Sequence, residues 1–401
     1  MTAPSNRVLT LGVSHAATDF YQGSVAVLVP ILVLQAGFTA AQATTVVLAA
    51  TLGSALVQPL FGILTDRFQT FWLLPGSMLL AGAGIGLLGL TSSFGATLAA
   101  AAVSGIGVAA YHPVAASLAR GVGSTARSMS WFIAGGNIGL ALAPAIAAPI
   151  LLAWGPQASP LLAVPGVLGG LTVIAVRRWL LAGDASRGQN GGSPAVDGAD
   201  DWRTFGWLAV VAILRSGVYF GISTLVGLLV VEELELSGGV GAALLGVFLA
   251  VGVLATLAGG VIADRWRRVT CVRLGFAISL PGLLTLALAP NAAVATIGVV
   301  VAGVGVFLPF SVQTTLGHEY LPHHIGTASG VTIGLSVSAG GAFAPILGLI
   351  ADGHGHRHAL LALAALPVLA LLISLRLREG GRGASSHPSQ TDQVCAAAPP
   401  R

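Results

Sequence analysis

The sequence contains no lysine; all 18 of its basic residues are arginine. That absence excludes a phosphate-binding P-loop, whose lysine must reach the phosphates, and any enzyme built on a lysine Schiff base. Charge of either sign is scarce, at 8% of residues, where a soluble domain carries about a quarter. The two cysteines, Cys271 and Cys395, are too few and too separate for a disulfide scaffold. Apolar residues are what the chain has, 55% of 401, with 55 glycines and 20 prolines. They recur in runs long enough to cross about 30 Å of hydrocarbon. The chain therefore reads as an all-α polytopic membrane protein. Its net charge of +4 reflects arginines placed by topology, so no nucleic-acid partner is expected. Met1–Asn6 is polar and the run after Arg7 is long enough to span, so no cleavable signal is expected.

Apolar runs between polar punctuation predict twelve transmembrane helices, near 8–34, 41–64, 71–91, 95–119, 128–153, 159–180, 204–231, 239–262, 270–289, 292–317, 326–350 and 357–377. They divide into a six-helix bundle over 1–181 and another over 204–378. Between them 182–203 is Gly-rich and polar and reads as a flexible cytoplasmic linker. Residues 379–401 read as a disordered cytoplasmic tail. With the N-terminus inside, nearly every arginine falls on the inner side; Arg357 lies outside and Arg215 within a span. The positive-inside rule then puts both termini in the cytoplasm.

An internal repeat supports the division. GILTDR, Gly62–Arg67, closes the second span and GVIADR, Gly260–Arg265, closes the eighth. Gly62 to Gly260 is a displacement of 198 residues, and so is Gly105 to Gly303, in SGIGVAAY and AGVGVFLP. AGGNIGLALAP from Ala134 and AGGAFAP from Ala339 give a looser third match. Duplicated six-helix units around a central site are a signature of secondary transporters.

The repeated Gly-x-x-x-Asp-Arg loop resembles that of the major facilitator superfamily. SHAATDFYQ in span one, YHPVAASLAR in span four and AGGNIG opening span five resemble the fosmidomycin-resistance family within it. The resemblance extends over all twelve spans and implies two pseudo-symmetric six-helix bundles, the major facilitator fold. Two departures stand out: Val114 follows His112–Pro113 where the family carries an acid, and Ala143 precedes Pro144 where the family carries glycine.

His15, Asp19 and Gln22 fall on one helical face. A titratable pair is costly inside a membrane and usually faces a cavity or a partner, and an imidazole can exchange protons near neutral pH. The alternative is a hydrogen-bond network that only holds helices together. His112 and His15 each lie eight residues from an inner arginine, Arg120 and Arg7, or roughly 12 Å by helical rise. They should share a depth. Pro113 should loosen the backbone that His112 could otherwise satisfy. Arg215 lies near the midplane and suits an oxyanion, or Asp19, as partner. The resemblance implies that spans one, four and seven line the cavity and adds Tyr21 and Asn137 to the candidate proton or substrate site. It also implies that Gly62, Asp66 and Arg67 with Asp264 and Arg265 latch the inner ends of the helices, with Glu319 in the same belt.

Three groups carry less. His318 and His323 are spaced too widely for a zinc-protease motif, and Pro322 interrupts their helix. Asp352–His358 reads as a flexible outer loop, and Glu232, Glu233 and Glu235 as a solvated edge. The function expected is secondary active transport, not enzyme catalysis: proton-coupled efflux of a small drug-like or anionic compound such as fosmidomycin. The proton is the coupling ion, and no other cofactor and no metal is expected. Uptake of a metabolite or metal ion is the alternative, and a non-transporting receptor a remote one. The protein is expected as a monomer in the cell membrane, with lipid and a small solute as partners.

Overall fold

In lipid a backbone must satisfy its own hydrogen bonds, and the described residues form helices and turns without a strand. The computed structural model describes residues 5–34, 38, 40–68, 70–91, 93–123, 125–188 and 198–379. In chain order the helices are α1 (Asn6–Leu34), α2 (Ala40–Arg67), α3 (Leu73–Leu88), α4 (Phe94–Val122), α5 (Ala126–Trp154), α6 (Val164–Ala175) and α7 (Arg177–Gly188). Then come α8 (Trp202–Leu228), α9 (Gly238–Arg265), α10 (Arg268–Ala287), α11 (Ala292–Phe307), α12 (Phe310–Tyr320) and α13 (Ile325–Ser329). The last are α14 (Ser336–Gly341), α15 (Phe343–His354), α16 (His356–Leu363) and α17 (Ala365–Ser374). A 3₁₀ turn, Pro156–Ala163, precedes α6, and π-turns occupy Leu229–Glu233 and Gly330–Leu335.

Among the described residues, 9 helical segments are long and apolar enough to cross a membrane. With α1, α2 and the shorter apolar α3, this is consistent with the twelve spans read from sequence. Starts are set by local chemistry: Ser93, Thr125, Asp201 and Asn291 each accept an amide hydrogen bond from the first turn of the helix they cap. Breaks have equally local causes. Pro309 divides α11 from α12, and Gly355, at φ 89, separates α15 from α16.

Helices that gain little from hydrophobic attraction in lipid must approach closely, which small residues allow. A Cβ on Gly84 would meet Ser104 N at 2.4 Å, and one on Gly107 would meet Ala81 N at 2.4 Å, so α3 lies against α4. In the second half, Gly282 stands against Ala302 N at 2.2 Å and Gly305 against Ser279 N at 2.3 Å. All four positions are related by the 198-residue displacement. Gly105 against Ala50, and Gly303 against Phe248, repeat the relation. The buried cores follow it too, two clusters within 11–333 drawing almost wholly on the first half and two on the second.

Some expectations change. α7 carries helix to Gly188, into the segment read as linker, because its arginine-rich and leucine-rich start continues the turn; 189–197 and the tail beyond Glu379 lie outside the described residues. Asp352–His358 is not a flexible loop but the end of α15 and the start of α16 around Gly355. Nor is Glu233 simply solvated. Its carboxylate accepts from Arg357 Nε at 2.8 Å and from the Arg357 amide at 3.0 Å, with His356 Nδ1 at 3.8 Å. Arg357 and an acidic helix end thus satisfy one another.

Candidate functional site

A cavity of about 290 Å³ lies between the halves. His15, Asp19 and Gln22 reach it from α1, His112 from α4 and Asn137 from α5; Arg215 reaches it from α8. The sequence placed these six there. Tyr21 is the exception. It lies two residues beyond Asp19, on another face of the helix, and its hydroxyl donates to Ala163 O at 3.1 Å while accepting from Gly166 N at 2.5 Å. Tyr21 anchors α6 rather than facing the central cavity.

Asp19 sits between two histidines. His112 Nε2 is 3.0 Å from Oδ1, in hydrogen-bond geometry, and His15 Nε2 is 3.2 Å from Oδ2 but off the hydrogen-bond line. The other ring nitrogens settle the tautomers. His15 Nδ1 lies 2.8 Å from Phe132 O, and His112 Nδ1 lies 2.8 Å from Val108 O. A carbonyl only accepts, so both Nδ1 atoms carry hydrogen and both Nε2 atoms face the carboxylate. One shared proton satisfies the His112 contact, whether it sits on the ring or on the carboxyl. The buried His15 Nε2 is the place for a second. His112 back-bonds to Val108 O rather than to the carbonyl left free by Pro113, that of Ala109.

The backbone makes this approach possible. A Cβ on Gly136 would lie 2.4 Å from Asp19 Oδ2 and 2.6 Å from His15 Nε2. Gly135 and Gly139 stand against the carbonyls of Gly12 and Ala16, at 2.1 and 2.0 Å from their virtual Cβ atoms, so α5 presses α1 along its whole contact. His15 also stacks on Phe132 with centroids 4.3 Å apart.

Arg215 stands on the opposite wall, 2% exposed. It does not pair with Asp19, whose oxygens are already taken by the histidines. Its Nε donates to Gln313 Oε1 and its Nη2 to Ser216 Oγ, both at 3.0 Å, and the guanidinium lies 4.0 Å from the Phe310 ring centroid. Among the described residues no carboxylate pairs with this cation. Asn137 Nδ2 donates to Thr256 Oγ1 at 3.2 Å, joining α5 to α9 across the cavity. Gln58, Gln313 and Thr256 were missed in the sequence, although a glutamine inside an apolar span is itself a signal. Gln58 is 2% exposed and presses on Gly334 in the π-turn of the eleventh span.

The helix ends that carry the repeated Asp-Arg pair are held crosswise. Asp66, at the end of α2, accepts from Gly326 N at 2.6 Å, Thr327 N at 2.8 Å and Thr327 Oγ1 at 2.6 Å, capping α13. Asp264, at the end of α9, accepts from Ala126 N at 2.8 Å and Arg127 N at 2.9 Å, capping α5. Each aspartate caps a helix of the other half. Gly62 lets the backbones meet, its virtual Cβ lying 2.6 Å from Gly326 O. Arg67 and Arg265 were expected in the latch but are exposed and make no ion pair among the described residues, the aspartate beside each being turned to helix amides instead. Glu319 pairs at 2.9 Å with Arg268, so this contact ties α12 to α10 inside one half.

The sequence profile of the Major Facilitator Superfamily matches residues 11–345. The chain belongs to that superfamily. It is 29% identical over 372 residues to the fosmidomycin resistance protein of Escherichia coli (strain K12), an alignment spanning 90% of each chain. It is 26% identical over 377 residues, 92% of each chain, to the uncharacterized MFS-type transporter YfnC of Bacillus subtilis (strain 168). The solved structure of the human organic anion transporter MFSD10 (TETRAN) superposes with a TM-score of 0.74 at 16% identity, covering 93% of this chain and 100% of that one. This major facilitator chain is thus a multi-pass membrane transporter and not an enzyme. At such identity the last likeness speaks for the fold alone.

Proposed function

We propose that this superfamily member exports a small drug-like or anionic compound in exchange for protons, by alternating access of two six-helix bundles with both termini in the cytoplasm. One observation carries the reading: a single cavity sets a carboxylate shared by two histidines against an arginine that has no carboxylate partner among the described residues. Closing protein around unsatisfied charge is expensive. On one stroke the solute's oxyanion satisfies Arg215, whose planar fork matches such groups. On the return stroke, His15, Asp19 and His112 carry protons in place of the solute. Each ligand binds the two orientations with different affinity, as coupling requires. The Asp66 and Asp264 caps close the inner end and define an outward-facing resting form. The fosmidomycin resistance relative supports a phosphonate as the solute and export as the direction.

A specific feature favours a second reading, proton-linked uptake. Protonating the histidine–aspartate cluster leaves Arg215 as the unbalanced charge, so an anion and a proton would bind more tightly together than apart. The test is proton direction in proteoliposomes holding a pH dye. Fosmidomycin entering the vesicle while protons leave it supports exchange; fosmidomycin and protons entering together supports uptake. Flux with no proton movement would overturn both.

A further inference from the structure

Three arginines near the ends of the bundle hold a carboxylate: Arg267 has Glu379, Arg268 has Glu319 and Arg357 has Glu233. Among those that make no ion pair within the described residues, three stand together. Arg203, Arg376 and Arg378 surround a pocket of about 560 Å³ together with Asp201, Thr204 and Trp207. None of the three makes an ion pair among the described residues, and all three are exposed.

The pocket is built rather than incidental. Its walls are the start of α8 and the turn that follows α17. Tyr320 fastens both, its carbonyl accepting from Asp201 N at 2.7 Å and its hydroxyl donating to the carbonyl of Arg378. The Asp201 carboxylate is spent on Thr204, accepting from its amide at 2.9 Å and its hydroxyl at 2.5 Å. Arg376 stands over Trp207 with its Cζ 4.3 Å from the ring centroid, a cation–π contact that holds the guanidinium at the pocket wall. The net charge of the lining is positive.

Its position selects the ligand. Both walls are the ends of membrane-spanning segments, Trp202–Glu233 and His356–Ser374. Trp202, 50% exposed, lies in the same first turns of α8 as Trp207, and tryptophans settle at the headgroup level of a bilayer. Two more arginine–tryptophan stacks, Arg7 on Trp179 and Arg177 on Trp72, mark other helix ends of the first half. A three-arginine pocket opening at headgroup depth fits a lipid phosphate. We propose that Arg203, Arg376 and Arg378 form a binding site for the phosphate headgroup of an anionic phospholipid. The lipid would clamp the first helix of the second half to its last.

The test is lipid retention by the full-length protein, which reads nothing about transport and so stands or falls apart from the function proposed above. The protein is released from mixed phosphatidylglycerol and phosphatidylcholine vesicles and its bound lipids are weighed by native mass spectrometry. Wild type should retain phosphatidylglycerol selectively. Replacing Arg203, Arg376 and Arg378 together by Gln should lower that retention about tenfold or more, since each arginine near the surface adds measurably to anionic-lipid attraction. Arg378→Gln alone should give an intermediate loss, and keeps the test open if the triple variant does not fold. Arg7→Gln should leave selectivity unchanged. Equal retention by wild type and by both variants that replace Arg378 would overturn the site. Displacement of the lipid by millimolar inorganic phosphate would also overturn it, making this a site for a soluble anion.

Discussion

At positions related by 198 residues, Gly84 and Gly282, Gly107 and Gly305, and Asp66 and Asp264 make matching contacts, while His112 and Phe310 do not. His112 holds the carboxylate of Asp19; Phe310 lies under the guanidinium of Arg215. Gln58 and Thr256 are likewise paired by the repeat, and each stands in the seam between halves with a different partner. Packing and latching were kept in both halves, and the cavity chemistry diverged. The difference teaches that duplication supplied the scaffold and the crosswise closure. Opposite charges on opposite walls came from substitution within it.

The comparison can be broken at several points. The largest effect is expected at Arg215. Losing charge-assisted hydrogen bonds worth about 1.5–3 kcal/mol should weaken solute binding by about ten- to a hundredfold. Arg215→Gln should therefore abolish saturable flux at concentrations that saturate wild type, with the protein still folded. Undiminished affinity would remove the second half from substrate recognition. Next is Gly136→Ala, whose methyl has no room beside Asp19 and His15. Overpacking of this kind costs about 1–3 kcal/mol, and transport should fall by roughly tenfold or more. Gly206→Ala, with open space around it, is the control and should be silent.

The latch should show the symmetry the cavity lacks. Asp66→Asn and Asp264→Asn each weaken a charged cap of about 1 kcal/mol, so each should raise the inward-open population by about fivefold. Spin-label distances across the inner end would read this. Markedly unequal effects would mean that the two crosswise caps are not equivalent. The smallest effect is expected at the edge of the bundle. Hydrogen bonds from Thr204 hold the Asp201 carboxyl below its ordinary range. A lowered folded-state value stabilises above the unfolded value and is lost as pH falls through the folded one. Asp201→Ala should thus cost about 1 kcal/mol at neutral pH and flatten the acid limb of thermal stability, with little change in flux.

Much of this was legible beforehand, for physical reasons. Apolar runs and arginine placement dictate spans, and the repeat could be found because Gly62, Asp66 and Arg67 recur with unchanged spacing. His15, Asp19, His112 and Arg215 announced themselves because charge inside a membrane is rare. What could not be read was orientation around each helix and the partner across it. Tyr21 was therefore placed in the cavity when its hydroxyl serves α6. Arg67 and Arg265 were assigned a latch that the aspartates make through helix amides, since backbone partners leave no trace in side-chain spacing. Gly136 was quoted within AGGNIG, yet its role depends on two side chains from another helix.

The most direct test of the central claim compares wild type with Asp19→Asn in proteoliposomes carrying an interior pH indicator, with fosmidomycin as the added compound. The shared carboxylate predicts that wild type moves protons when the compound moves, and that Asp19→Asn binds the compound yet moves no protons. Proton movement of wild-type size in Asp19→Asn would contradict the account and place coupling elsewhere.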